Sequence, residues 1–133
     1  MSHRSEGRTT GEQWLVDAGL GATEGGAIGV VHLAAEYGWL ARTGGLAEAV
    51  AGLAAVQAAQ GIPVAAIIPL HRSVRSSAPA LERVAGPLQV QVGPRIEEAR
   101  LFRIPSEPGR PKVYCLEHPY FDRAGLYGEG GQD

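Results

Sequence analysis

Arg42, Thr43, Gly44 and Gly45 stand together as RTGG, with Glu36 ahead of them and Glu48 behind. A guanidinium beside two glycines at a helix start suits an anion. The glycines let backbone N–H groups approach, the helix dipole favours negative charge, and arginine grips phosphate oxygens as a fork. A strand–loop–helix unit with a glycine can equally be a plain connection, so the local pattern leaves both uses open. Glu36 directly follows an apolar run. A carboxylate just past the C-terminal end of a central strand faces the ligand crevice of an open α/β sheet, or else is a solvated loop charge. His71, Arg72 and Arg75 form a second basic group, readable as a ligand lip or as a solvated loop. Cys115 and His118 have a C-x-x-H spacing with no second pair, so zinc is not expected and Cys115 reads as core. Gly19-x-Gly21 is followed by Glu24 where a dinucleotide fingerprint needs glycine, and the run precedes a strand instead of following one. No P-loop, H-E-x-x-H or G-x-S-x-G is present.

The elements that must position these residues follow from patterning. Ile28 to Ala34 is a continuous apolar run, as in a central parallel strand buried on both faces, with His32 as a core histidine. Leu46 to Gln60 is alanine-rich and helical, and Leu46, Val50, Leu53 and Val56 make one apolar stripe. Its alanines let it sit close on a sheet. Thr43 is placed to cap it, without a capping box, and Gly61 stops it. Ile62 to Pro69 reads as a second buried strand, completing a right-handed βαβ unit. Leu70 to Ser77 reads as a loop and Ala78 to Val84 as a helical turn. Leu88 to Val92 and Arg95 to Ile104 alternate apolar and polar, Pro105 to Pro111 is a turn, and Lys112 to Leu116 is a short strand. The expected architecture is α/β, with parallel strands first and a small antiparallel patch later.

Bulk properties set the class. The chain has 133 residues, 44% of them apolar and 20% charged, enough for one core. A net charge of −2 gives no reason to expect nucleic acid. The single cysteine excludes an internal disulfide and fits a reducing compartment, so cytoplasm is the default. No run approaches the roughly 20 apolar residues of a membrane span, and the N-terminus lacks a signal-peptide core. Residues 1–27 read as a polar tail and 28–133 as the folded part.

Three pieces of the chain carry a resemblance: an apolar strand ending in AAE and leading to RTGGL, then GIPVAAIIPLHRSV, then VYCLEHPYFDRAGLYGE. In this order they resemble the N-terminal domain of bacterial glycogen synthases and plant starch synthases, from about Ile28 to Glu129. The resemblance implies a Rossmann-like N-terminal half of a two-domain (GT-B type) glucosyltransferase. Such enzymes move glucose from ADP-glucose or UDP-glucose to the non-reducing end of an α-1,4-glucan, with retention and without a cofactor or metal. Arg42 stands where the family's motif lysine touches the glucosyl donor. Thr43, Gly44 and Gly45 match the rest of that motif, so these four residues are the expected donor-binding set. Glu48 stands where many relatives have aspartate, and Tyr114 matches a strand tyrosine near the cleft. With Glu36 they are assigned to the acceptor side or to support of the donor site.

Breaking a glucosyl–phosphate bond builds negative charge on the leaving diphosphate, which cations must stabilise. Arg42 supplies part of this. The resemblance assigns the rest to a histidine late in the N-terminal domain, which His118 does not match, and to a C-terminal Rossmann-like domain in the same or a separate chain. No catalytic residue is therefore expected within this sequence. Two further readings stand beside the synthase: a non-catalytic module that binds a sugar nucleotide, glucan or partner chain without turnover, and a related transferase with another acceptor. An incomplete half would leave sheet edge and cleft surface uncovered, favouring self-association.

Overall fold

Apolar and β-branched runs make the strands and the alanine-rich run makes the main helix, as their propensities direct. The computed structural model describes residues 29–78, 80–123 and 126. The tail assigned to 1–27, the Gly19–Gly26 run, Tyr127 and Glu129 lie outside these. In chain order the elements are β1 (Val30–Leu33), α1 (Gly45–Ala59), β2 (Val64–Pro69), α2 (Arg72–Ser77), β3 (Glu82–Val92), β4 (Arg95–Ile104) and β5 (Lys112–Glu117). A 3-10 turn, Pro119–Phe121, follows β5.

The strands form one five-stranded sheet in the order β1-β2-β5-β4-β3. β1, β2 and β5 run parallel, and β4 and β3 add antiparallel pairs. The parallel pairing opens with β1 and β2, but the last strand, β5, expected in the later antiparallel patch, also runs parallel to β2, so the antiparallel strands β3 and β4 fall between parallel ones in the chain. Because β1, β2 and β5 are parallel, their C-terminal ends share one edge of the sheet. The segments that carry Glu36, Arg42, His71 and His118 leave from that edge, whereas Tyr114 and Cys115 lie within β5.

Three expectations need correction. First, β1 is an edge strand among the described residues, not a central one. Its residues alternate half-buried and exposed, and Leu33 is 77% exposed. Second, the helix turns its alanines inward. Ala47, Ala54 and Ala58 are buried, whereas Leu46, Leu53 and Val56 face out. Small side chains allow the closest approach to the sheet, and a 2.7 Å hydrogen bond between His32 Nε2 and Gln57 Oε1 fixes the helix rotation. Third, Leu70 to Ser77 is no loop, and the described residues of the expected helical turn, Ala78 to Val84, are not helical. Buried Val74 anchors α2 instead, and Glu82 and Arg83 already pair with Arg103 and Phe102 in the sheet.

α1 ends where expected. Gln60 caps it, and Gly61 takes the left-handed conformation (φ +86°) that releases the chain toward β2. The main core lies around Ile68, Leu70, Val74, Val113 and Cys115. A second cluster gathers Ala65, Ala85, Leu101 and Tyr114. The β3–β4 pairing shifts register around Ala85. Gly86 is required there: its φ is +121°, and a Cβ would lie 3.0 Å from Arg100 Cα.

Candidate functional site

Ala34 closes β1 by donating its N–H to the Ile67 carbonyl at 3.1 Å, and the chain then leaves the sheet. Tyr37 to Ala41 fold into a tight bridge, with the Tyr37 N–H on the Ala41 carbonyl at 2.9 Å. Leu40 and Ala41 are buried in the main core, so the loop is anchored immediately before Arg42. Gly44 is the N-cap of α1, and no side chain caps the helix there. Thr43, expected to cap, is engaged elsewhere.

Its partner is Glu36, only 4% exposed. Glu36 Oε1 accepts the N–H of Thr43 at 2.9 Å and of Gly44 at 3.2 Å. Glu36 Oε2 accepts the Thr43 hydroxyl at 2.9 Å. The carboxylate at the end of β1 is thus clasped to the start of α1. It neutralises two amides that would otherwise point at a ligand. The first-turn amides of Gly45 and Leu46 keep no capping side chain, and a Cβ on Gly44 or Gly45 would meet nothing within 4 Å. That open space, beside amides and the positive end of a helix dipole, admits an anion.

Arg42 stands at the mouth of this space. Its Nη2 pairs with Glu48 Oε1, and both side chains are more than half exposed. An exposed pair of this kind contributes about 0–1 kcal/mol and exchanges readily for a better anion. Between residues 36 and 48 Arg42 is the only cation. The structure therefore brings Glu36, Arg42, Thr43, Gly44, Gly45 and Glu48 together. It does not bring Tyr114 with them. Tyr114 lies within β5 opposite Ile67, fully buried beside Ala65 and Leu101. Cys115 is buried too, and burial pushes its thiol up to about 12, opposed by Arg75. Among the described residues no group of three or more His, Cys, Asp or Glu could hold a metal. Among them, likewise, no helix is long and apolar enough to cross a membrane.

His71 belongs neither to a ligand lip nor to a solvated loop: it is 1% exposed and stacks edge-on to Phe121, with ring centroids 6.1 Å apart. Burial holds its pKa below 6.5. The Ala35 backbone opposes this, and Arg123 adds to it. The sign follows: the folded chain keeps His71 neutral while the unfolded chain protonates it below about 6.5, so stability is lost as pH falls through that value. The slope is at most about 1.4 kcal/mol per pH unit for one proton. His71→Phe is predicted to flatten the dependence. Urea midpoints at pH 7.5 and 5.5 check this, and equal slopes for variant and parent would refute it.

Residues 29–133 match the family model described as the starch synthase catalytic domain. The glycogen synthase of Anaeromyxobacter sp. (strain K) is 37% identical over 106 residues, which are 78% of this chain and 21% of that protein. The glycogen synthase of Rhodopirellula baltica is 34% identical over 116 residues, 80% of this chain and 23% of that one. Among solved structures, the catalytic domain of starch synthase IV from Arabidopsis thaliana, bound to ADP and acarbose, superposes with a TM-score of 0.67. That pair is 27% identical, over 78% of this chain and 22% of the other. The chain thus spans between a fifth and a quarter of the length of the relatives it matches.

Proposed function

Since the chain belongs to the starch synthase catalytic domain family, we propose that it forms the glucosyl-donor side of a glycogen or starch synthase. In this reading Arg42 grips the diphosphate of ADP-glucose or UDP-glucose. Gly44 and Gly45, without side chains, leave the first-turn amides of α1 open to the same oxygens, Thr43 ties the loop to Glu36, and Glu48 holds the arginine in place. The observation that carries it is the open, uncapped start of α1 beneath Arg42. The reaction is glucose transfer to the non-reducing end of an α-1,4-glucan with retention, and a reducing, cytoplasmic setting fits the lone Cys115.

Arg42 contributes one cation to the leaving diphosphate, and clamped cations are what lower the barrier to breaking a glucosyl–phosphate bond. The residual demand falls on a C-terminal Rossmann-like domain, in the same or a separate chain. The outer side of α1 supports this reading. The helix carries one charged residue, Glu48, and exposes Leu46, Leu53 and Val56. A helix apolar on all sides is ordinarily covered on all sides. Taken alone, residues 28–133 bind without turning over. Titration of the full chain with ADP tests the donor reading, and absence of saturable binding would overturn it.

A further inference from the structure

The edge of the sheet opposite the Arg42 loop carries positive charge that the donor reading leaves unused. Lys112 opens β5, and Arg103 is the last residue but one of β4. The two strands are antiparallel, with Arg103 opposite Tyr114. Lys112 stands two residues before Tyr114, so Arg103 and Lys112 are diagonal neighbours on one face of the sheet. Both are half-buried. Like charges on one sheet face repel, and partial burial weakens the screening that water would give. An anion between them turns that repulsion into attraction.

There is space for one. A cavity of about 230 Å³ is lined by Arg103, Pro105, Ser106 and Lys112. Its charged lining is wholly positive. The cavity at the other end of β5 differs, because Arg75 and Arg100 are set there against Glu98, Glu117 and Asp122. A further cavity of about 230 Å³ lies on the other side of Lys112 and adds Arg110. That one also touches Ala58 and Gly61 at the last turn of α1, where the helix carbonyls disfavour an anion. The Arg103 cavity has no helix end against it and offers the Ser106 hydroxyl as a third donor. Glu82 pairs with Arg103 at 2.8 Å, but Glu82 is more than half exposed. A pair of that kind contributes about as little as the Arg42–Glu48 pair and yields to a better anion.

The donor set selects the anion. A guanidinium, an ammonium and a hydroxyl supply two positive charges and donors of three shapes. A phosphate group carries a charge of about −1.5 to −2 near neutral pH and three strong acceptor oxygens. A carboxylate offers one charge and two oxygens. We propose that Arg103, Ser106 and Lys112 bind a phosphate group, free or on a small phosphomonoester, at a site separate from the donor loop. The site stands on the opposite edge of the sheet and does not depend on the donor reading: failure of ADP to bind at Arg42 leaves it intact.

The experiment uses the full chain carrying Arg42→Ala, so that the donor loop does not contribute. It is titrated with inorganic phosphate and, separately, with methyl phosphate, by calorimetry. Saturable binding of at least one is expected, weakening as salt is added. Whichever binds tighter shows whether the site prefers the free ion or the ester. Adding Lys112→Gln is expected to weaken binding about tenfold or more, the worth of one charged hydrogen bond. Adding Lys112→Arg instead is expected to keep it, since the charge remains. Arg103→Gln, on the neighbouring strand, is expected to weaken it similarly and gives an independent reading if Lys112→Gln does not fold. No saturable binding of either probe would overturn the inference. Binding that both Lys112→Gln and Arg103→Gln leave unchanged would overturn it too.

Discussion

Arg42→Ala is expected to weaken ADP binding by about 10- to 150-fold, the equivalent of the 1.5–3 kcal/mol that a hydrogen bond to a charged group contributes. Stability should scarcely move. The guanidinium is exposed and its ion pair with Glu48 is worth about 0–1 kcal/mol. Arg42→Lys should recover part of the affinity. It keeps the positive charge that Arg42→Ala removes, but not the planar fork that can hold two oxygens at once. Glu48→Gln is the informative companion. It frees Arg42 from its partner, so ADP binding should hold or tighten by up to about fivefold. Fluorescence or calorimetric titration reads all three. Unchanged ADP affinity in Arg42→Ala would remove the donor site from this loop.

The residues that make this prediction possible were legible in the sequence because they are defined by local order. RTGG sits between a strand and a helix, and that much is patterning. What the sequence did not reveal is which side of an element faces inward. In α1 nearly every residue is apolar, so a stripe of leucine and valine looks like the core face. The alanines won because the helix approaches the sheet closely and Gln57 must reach His32. Periodicity gives no hint of either constraint.

The same limit explains His71. Arg72 and Arg75 dominate their segment and suggest a solvated loop, yet both spend their charge on partners far along the chain, Asp122 and Glu117. With those pairs made, Val74 and His71 turn under them into the core. Tyr114 was placed by resemblance near the cleft. Its position in mid-strand, with neighbours on the sheet face, puts it in the core instead. Glu36 was visible as a carboxylate after a strand. Its partners Thr43 and Gly44 are set by the path of the loop, which only the buried Leu40 and Ala41 determine.

That clasp gives the second large effect. Glu36→Ala removes the acceptor of three hydrogen bonds at once. Charged hydrogen bonds contribute about 1.5–3 kcal/mol each when the donors cannot find water. Here Thr43 and Gly44 are exposed, so water recovers part of the loss. The net cost is expected to be about 2–3 kcal/mol, nearer the value of one such bond than of three. Thr43→Val removes only the hydroxyl donor and should cost about 1 kcal/mol. The two changes share a partner, so the double variant should fall short of their sum by at least about 0.5 kcal/mol. Urea unfolding measures the energies, and hydrogen exchange at the Thr43 and Gly44 amides reports the loop directly. ADP affinity should fall with Glu36→Ala as well, because a loose loop must be ordered again on binding. This separates the two acids and bases of the site by role: Arg42→Ala moves affinity without stability, whereas Glu36→Ala moves both. If Glu36→Ala left the unfolding midpoint and the exchange of both amides unchanged, the carboxylate would be a passenger. The loop would then owe its shape to Leu40 and Ala41 alone.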